Sequence, residues 1–249
     1  MTIDKNASLW ISANWALADK LVAGTTITPA IMALEGFNLA VHVEDEISRV
    51  EDNRRRFLQA LGCKAKPMWL SQYHSDVVVE ADEYVEGARA DAAIGGRGYF
   101  PLVLTADCVP IVLADETGQH MAVIHAGWQG LVQEIIPKTV ARLACEVKAL
   151  FAWIAPCIRQ HHYEVDERFY QRFLTLNADY SRFFISNRAG HYLADLAGMA
   201  RWQLLGCGVR AEAIADCGIC TFADRRFFSF RRDGGRSGRM ATFVVNKSS

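Results

Sequence analysis

The chain carries no charge excess of either sign. Its net charge is −1 over 249 residues, and acidic and basic side chains are spread along it apart from one basic cluster near the C-terminus. Binding to nucleic acid or to a membrane surface therefore has no general electrostatic basis. No apolar run approaches the roughly 20 residues of a membrane span. The opening stretch MTIDKNASLWISANWALADKLVAG lacks a basic segment, an apolar core and a small-residue cleavage site in that order, so no secretion leader is expected. Internal repeats, low-complexity tracts and a cutting linker are all missing, and one domain over residues 1–249 is the expectation. Cysteine is present without the pattern of a disulfide framework: Cys63, Cys108, Cys145, Cys157, Cys207, Cys217 and Cys220 are odd in number and irregular in spacing. Reduced thiols in a cytoplasmic compartment follow.

What is present suits a sizeable core, since 51% of the residues are hydrophobic. Residues 9–24 read as an early strand, broken at Thr28 and Pro29. Gly36 to His42 read as a short strand with Asn38 and His42 on one face. Asp45 to Gly62 predict an amphipathic helix, with Asp45 as a possible N-cap, Gly62 at C′, and Arg54, Arg55 and Arg56 on the solvated side. Trp69 to Tyr73 and Val77 to Val79 read as β, interrupted by His74, Ser75 and Asp76.

The stretch 102–131, LVLTADCVPIVLADETGQHMAVIHAGWQGL, predicts a β-hairpin with Glu116 to Gln119 as its turn. In that register paired positions sum to 235. His125 then faces Pro110, and Cys108 lies just past the strand end, diagonal to His125. Beyond it a helical stretch should kink or restart at Pro137. A strand at Phe151 to Ile154, a helix around Glu167 to Leu174 and a helix capped by Asp195 follow. FFSFRRDGGRSGRMATFVV predicts two closing strands joined by a Gly- and Arg-rich loop. Strands come mostly as neighbouring pairs, which points to an α+β fold with mixed sheets.

Four chemistries are open. His74, Cys108 and His125 could hold Zn²⁺ or copper, and three protein ligands leave a fourth position for water or substrate. Alternatively Cys108 is a nucleophile with His125 as its base, or a buried cysteine beside a histidine satisfied by backbone. Asp107 is a poor orienter unless the chain turns there. Cys217 to Cys220, CGIC, could be redox-active, half of a zinc site, or coincidental. Arg231, Arg232 and Arg239 around Asp233, Gly234, Gly235 and Gly238 form either a phosphate-holding turn or a solvated hairpin end.

Eight segments in order, FNLAVHVEDE with DNRRRF, MWLSQYHSDVV, LTADCVPIVLAD, AVIHAGWQGL, APCIRQHHYEV, YLADLAGMAR, CGICTF and FFSFRRDGGRSGRMATF, resemble the bacterial laccase-domain family. That family is also called multicopper polyphenol oxidoreductase-like or peptidoglycan editing factor, and human FAMIN is a relative. The resemblance spans residues 37–244 and implies His74, Cys108 and His125 as metal ligands, with zinc the usual ion and copper possible. It implies a four-layer α-β-β-α sandwich likened to cysteine hydrolases of the cytotoxic necrotizing factor type. The activity implied is phosphorolysis of adenosine, inosine, guanosine or methylthioadenosine to free base and ribose 1-phosphate, with adenosine deamination. Purine nucleoside and phosphate would be the partners. Asn38, Arg54, Arg231 and Arg232 are the expected substrate-binding residues, with Cys108 and His125 catalytic. An amide hydrolase in peptidoglycan precursor editing and a copper-dependent polyphenol oxidase are the alternatives. The chain departs from the family pattern where Thr25 is followed by TITPAIMALEG, without the usual Arg and Gly-Gly-Val-Ser turn, and where Gln129 replaces the Arg after HAGW.

Overall fold

The structure is a computed structural model that describes residues 9–28 and 36–246. Pro29 and most of the departing stretch up to Glu35 lie outside those residues. In chain order the elements are β1 (Trp10–Ser12), β2 (Leu21–Thr26), α1 (Ile47–Leu61), β3 (Lys66–Met68), β4 (Val78–Glu80), β5 (Ala92–Ile94), β6 (Tyr99–Thr105), β7 (Val109–Asp115) and β8 (Met121–Ala126). They continue as α2 (Trp128–Val132), α3 (Ile135–Arg142), β9 (Leu150–Ile154), β10 (Glu164–Asp166), α4 (Glu167–Leu176), β11 (Phe184–Arg188), β12 (His191–Ala194), α5 (Leu196–Gly206), β13 (Ile214–Asp216), α6 (Phe230–Asp233) and β14 (Met240–Asn246).

These strands form three sheets, ordered β1-β2-β14-β6-β3, β13-β9-β7-β8-β5-β4 and β10-β12-β11. The first two are mixed, because β3 runs parallel to β6 and β13 parallel to β9 while the central pairs are antiparallel. Their facing surfaces share one core, in which Val103 and Val244 meet Val112, Val123 and Trp153. On its other side the six-stranded sheet buries Ile111, Ile124 and Ile154 against α3 and α5. The outer side of the five-stranded sheet is covered by α1, whose Phe57 lies edge-on to Phe243 at 5.0 Å and to Trp10 at 6.4 Å between centroids. Truncating that ring would cost about 3–5 kcal/mol.

The hairpin holds the predicted register, with Pro110 opposite His125 and Val109 opposite Ala126. Strand β6 belongs to one large sheet and β7 to the other, so the chain crosses between sheets in Ala106, Asp107 and Cys108 alone. Asp107 takes φ 89° to make that crossing, a conformation costly for a non-glycine residue. The candidate cysteine thus sits at the junction of the two sheets.

Several local expectations are corrected. Gly36 to His42 is not a strand, because Asn38 turns the backbone through bonds to Ala40 and Arg239 instead of a ladder. Trp69 to Tyr73 is irregular, and the strand lies just before it, at β3. Glu46 and not Asp45 is the N-cap of α1, while Gly62 ends the helix at φ 63° as expected. The helix after His125 restarts at Glu134, in the left-handed region, three residues before Pro137, which fits the first turn of α3. Phe227 to Phe230 is not a strand, and β14 alone closes the chain. Asp195 does cap α5, accepting the Gly198 N–H at 2.9 Å.

Candidate metal centre

His74, Cys108 and His125 reach one point from three places. His125 is the penultimate residue of β8, Cys108 precedes β7, and His74 lies in the irregular segment before β4. One donor atom from each falls within 4.8 Å of the others, with His74 exposed, Cys108 half-buried and His125 buried. Cys108 Sγ is 3.8 Å from His74 Nε2, and the two imidazoles stand nearly edge to face at 4.8 Å. A thiolate and two imidazoles suit zinc or copper.

Gly127 leaves the space between these donors open. A Cβ there would meet His74 Cδ2 at 3.0 Å, Cys108 Sγ at 3.2 Å and His125 Nε2 at 3.5 Å. The donor set and this side-chain-free cradle fit a single ion.

Asp91, which no sequence argument singled out, organises the group. Its carboxylate is fully buried and accepts the His125 Nδ1 proton at 2.8 Å, the His74 backbone N–H at 3.1 Å, and the Ser75 N–H and hydroxyl at 2.7 and 2.6 Å. Fixing the proton on Nδ1 leaves Nε2 of His125 as the free donor. The backbone bonds hold Tyr73 to Ser75 around the carboxylate, with His74 at φ 63°. Although burial alone would raise it, the bonds from His125 and Ser75 bring the Asp91 carboxyl down to about 2. A carboxylate against the apolar run Ala92–Ile94 was the available signal, since a buried charge requires a partner.

Cys108 and His125 perturb each other in the opposite sense. Burial opposes both charges, yet the thiol is drawn down to about 6 by the two imidazoles, and His125 is raised to about 9 by the thiolate and Asp91. Between those values the metal-free pair is a thiolate beside an imidazolium. Asp107 does not orient it. The carboxylate is turned away, accepting from Thr221 Oγ1 at 2.6 Å, Ser229 Oγ at 3.0 Å and the Arg231 N–H at 2.6 Å.

That last bond places Arg231 on the rim of a cavity of about 510 Å³ that also exposes His42, the metal-capable triad, Trp128, Tyr163 and Arg239. Its size suits a small organic ligand. The Arg231 guanidinium lies over the Tyr163 ring at 4.6 Å and donates to the Glu164 carbonyl. Arg239 donates to the carbonyls of Ser237 and Gly238, and burial pushes its guanidinium below the ordinary value. Neither shows a carboxylate partner among the described residues. Desolvation first, and then the charges of Arg239 and Arg54, hold the His42 imidazole below its ordinary value.

The other expected substrate-binding residues lie around this cavity and not in it. Asn38 is buried behind Arg239, accepting its backbone N–H at 2.8 Å. Arg54 stacks on Trp69 at 3.9 Å and donates to the Leu39 carbonyl at 2.9 Å. Arg232 donates to the Thr221, Phe222 and Phe227 carbonyls and pairs with Asp233. Arg239, one of the three arginines of the expected phosphate-holding turn, does line the cavity, and so does His42, which the sequence offered only as part of a strand.

The family described as multi-copper polyphenol oxidoreductase laccase matches residues 26–247. The purine nucleoside phosphorylase of Xylella fastidiosa is 40% identical over 203 residues, 78% of each chain. Purine nucleoside phosphorylase YfiH of Escherichia coli is 34% identical over 232 residues, 92% of each chain. A crystal structure of a Neisseria meningitidis protein superposes with a TM-score of 0.88 at 31% identity, covering 96% of this chain and 99% of that one.

Proposed function

The chain belongs to the multi-copper polyphenol oxidoreductase laccase family, and from that premise we propose that it is a zinc-dependent purine nucleoside phosphorylase that also deaminates adenosine. The observation that carries this reading is the meeting, in one cavity, of a three-donor metal group and two guanidiniums that have no carboxylate partner among the described residues. The names of its relatives support the phosphorylase half. The substrates proposed are adenosine, inosine, guanosine and methylthioadenosine, with free base and ribose 1-phosphate, or its methylthio analogue, as products. We place the protein in the cytoplasm. Among the described residues no helix is long and apolar enough to cross a membrane.

His74 Nε2, Cys108 Sγ and His125 Nε2 would hold the ion, zinc by preference and copper by the same donor chemistry. When bound there, zinc supplies Lewis acidity at an exchangeable fourth position. Asp91 fixes the tautomer of His125 and the backbone at His74. Arg231 and Arg239 bind phosphate, each guanidinium offering paired N–H donors to an oxyanion. They stand in for the two anion contacts that the departures near Thr25 and at Gln129 remove. Asn38 positions Arg239 from behind, Arg232 fixes the turn that carries Arg231, and Arg54 adds positive potential next to His42. Trp128 offers an aromatic wall to a purine.

Metal-loaded protein incubated with adenosine should release adenine only when phosphate is present, and inosine without it. Absence of both products from metal-loaded protein would overturn the proposal.

One observation favours a second reading, an amide hydrolase acting on a cell-wall precursor. The drawn-down Cys108 thiol beside a raised His125 is a nucleophile pair in its own right. We take the helix, sheet, sheet, helix stacking as the sandwich likened to cysteine hydrolases, which agrees with it. That activity would survive chelation and fail on thiol alkylation, the reverse of the metal-dependent reading. A phenol oxidase would need further copper ions, and among the described residues these three side chains are the one group that could hold an ion.

A further inference from the structure

Away from the cavity, the CGIC segment and the turn at Gln160 to His162 bring a second thiol and imidazole together. Cys220 Sγ lies 3.4 Å from His162 Nδ1, and the Arg159 backbone N–H donates to the same sulfur at 3.4 Å. The imidazole is backed by Phe222, stacked at 4.7 Å and 24°. Arg159 is itself fixed, its guanidinium paired with both oxygens of Asp216 at 2.8 and 2.5 Å and donating to the Ile219 carbonyl. Cys220 is partly exposed. Parallel bridging sets it beside Cys157.

We propose that Cys220, with His162 as its base, is a peroxide-reactive thiol that forms a sulfenic acid with hydrogen peroxide or an organic hydroperoxide. The thiol proton passes to His162 Nδ1. The sulfur attacks one peroxide oxygen, the S–O bond forms as the O–O bond breaks, and the departing hydroxide or alkoxide recovers the proton from His162. Sulfur loses two electrons, the peroxide gains them, and water or an alcohol leaves. A base in contact, a backbone donor aimed at the sulfur and solvent access are the features that distinguish a reactive thiol from an inert one.

The other cysteines lack this set. Burial pushes the thiols of Cys63, Cys145, Cys157, Cys207 and Cys217 above their ordinary value, and Cys108 belongs to the metal group. The neighbour of Cys220, Thr221, donates its hydroxyl to Asp107, which precedes Cys108. Oxidation at Cys220 therefore occurs one residue from a bond that shapes the cavity. The inference stands independently of the nucleoside reading.

The test treats the metal-loaded full chain with hydrogen peroxide in the presence of dimedone, a trap for sulfenic acids, and follows adducts on each cysteine by mass spectrometry, with peptide fragmentation to separate Cys220 from Cys217 in the same peptide. Cys220 should label at least about tenfold faster than Cys145 and Cys207, and a folded His162→Asn variant should lose most of that advantage. Labelling of Cys220 at the rate of Cys145 and Cys207 in the wild-type digest would overturn the proposal whether or not the variant folds. So would an undiminished rate in the folded variant.

Discussion

Asp91 accepts the Nδ1 proton of His125 at 2.8 Å, across a sequence separation of 34. The same carboxylate ties down the backbone of His74 and Ser75. One buried charge thereby fixes the ring of one metal-capable histidine and the main chain of the other.

Replacing it is the first prediction. Asp91→Asn keeps the volume but loses the charge that these donors converge on, and should cost about 3–5 kcal/mol of stability at pH 7. Metal affinity should fall about 10–100-fold, measured by competition with a chelator. The pH dependence has a definite sign. A carboxyl held at about 2 against an ordinary 3.8 contributes its full stability above about pH 4 and loses it as pH falls towards 2. Urea titrations of metal-free protein should therefore show the gap between wild type and variant narrowing below pH 4, and narrowing again as pH rises towards the value of about 9 to which the thiolate and Asp91 raise His125.

Gly127→Ala tests the cradle. The added methyl would contact His74 and Cys108 at 3.0 and 3.2 Å, and overpacking of this kind costs about 1–3 kcal/mol. If the cost falls on the loaded state, the metal dissociation constant rises about 5–100-fold. An unchanged constant would show that the ion does not need this space.

The anion reading is tested at Arg239→Met and Arg231→Met. Each removes one charge-assisted contact worth about 1.5–3 kcal/mol, so KM for phosphate should rise about 10–100-fold while bound metal stays at the wild-type level. A rise in the nucleoside KM alone would move these residues off the phosphate.

Chemical reactivity tests the thiolate pair. In metal-free protein the Cys108 thiol, opposed by burial but drawn down by His125 and His74 to about 6, gains its reactive form as pH rises through 6. Iodoacetamide labelling of Cys108 should follow a midpoint near pH 6 and reach its plateau by pH 8. A midpoint near 9, the ordinary thiol value, would contradict the pairing. Zinc should suppress the reaction across the range.

How much of this the sequence disclosed depended on what held each segment. The β7–β8 hairpin was legible because a short turn between two apolar runs fixes the register, and that register placed Cys108 against His125. Asp91 was legible at most as an acid set against an apolar run and so in need of a partner, while the identity of those partners, Ser75 and His125, lay far along the chain. Gly36 to His42 and Phe227 to Phe230 misread as strands for a common reason. Phe37, Leu39, Ala40 and Phe227 are buried as strand residues would be, but the Asn38 side chain takes the Ala40 N–H and the Asp224 carbonyl takes the Phe227 N–H in place of a ladder. Arg239 was legible as one arginine of a glycine-rich turn that could hold phosphate or simply be solvated, and only tertiary packing shows that it lines the cavity of the triad.

The account depends on a thiolate and two imidazoles sharing one ion, and metal analysis of the purified protein beside Cys108→Ala tests it most directly. Wild-type protein should carry about one zinc or copper ion per chain, and the variant, shown to be folded, should lose most of it. Full metal occupancy in the folded variant would contradict the site.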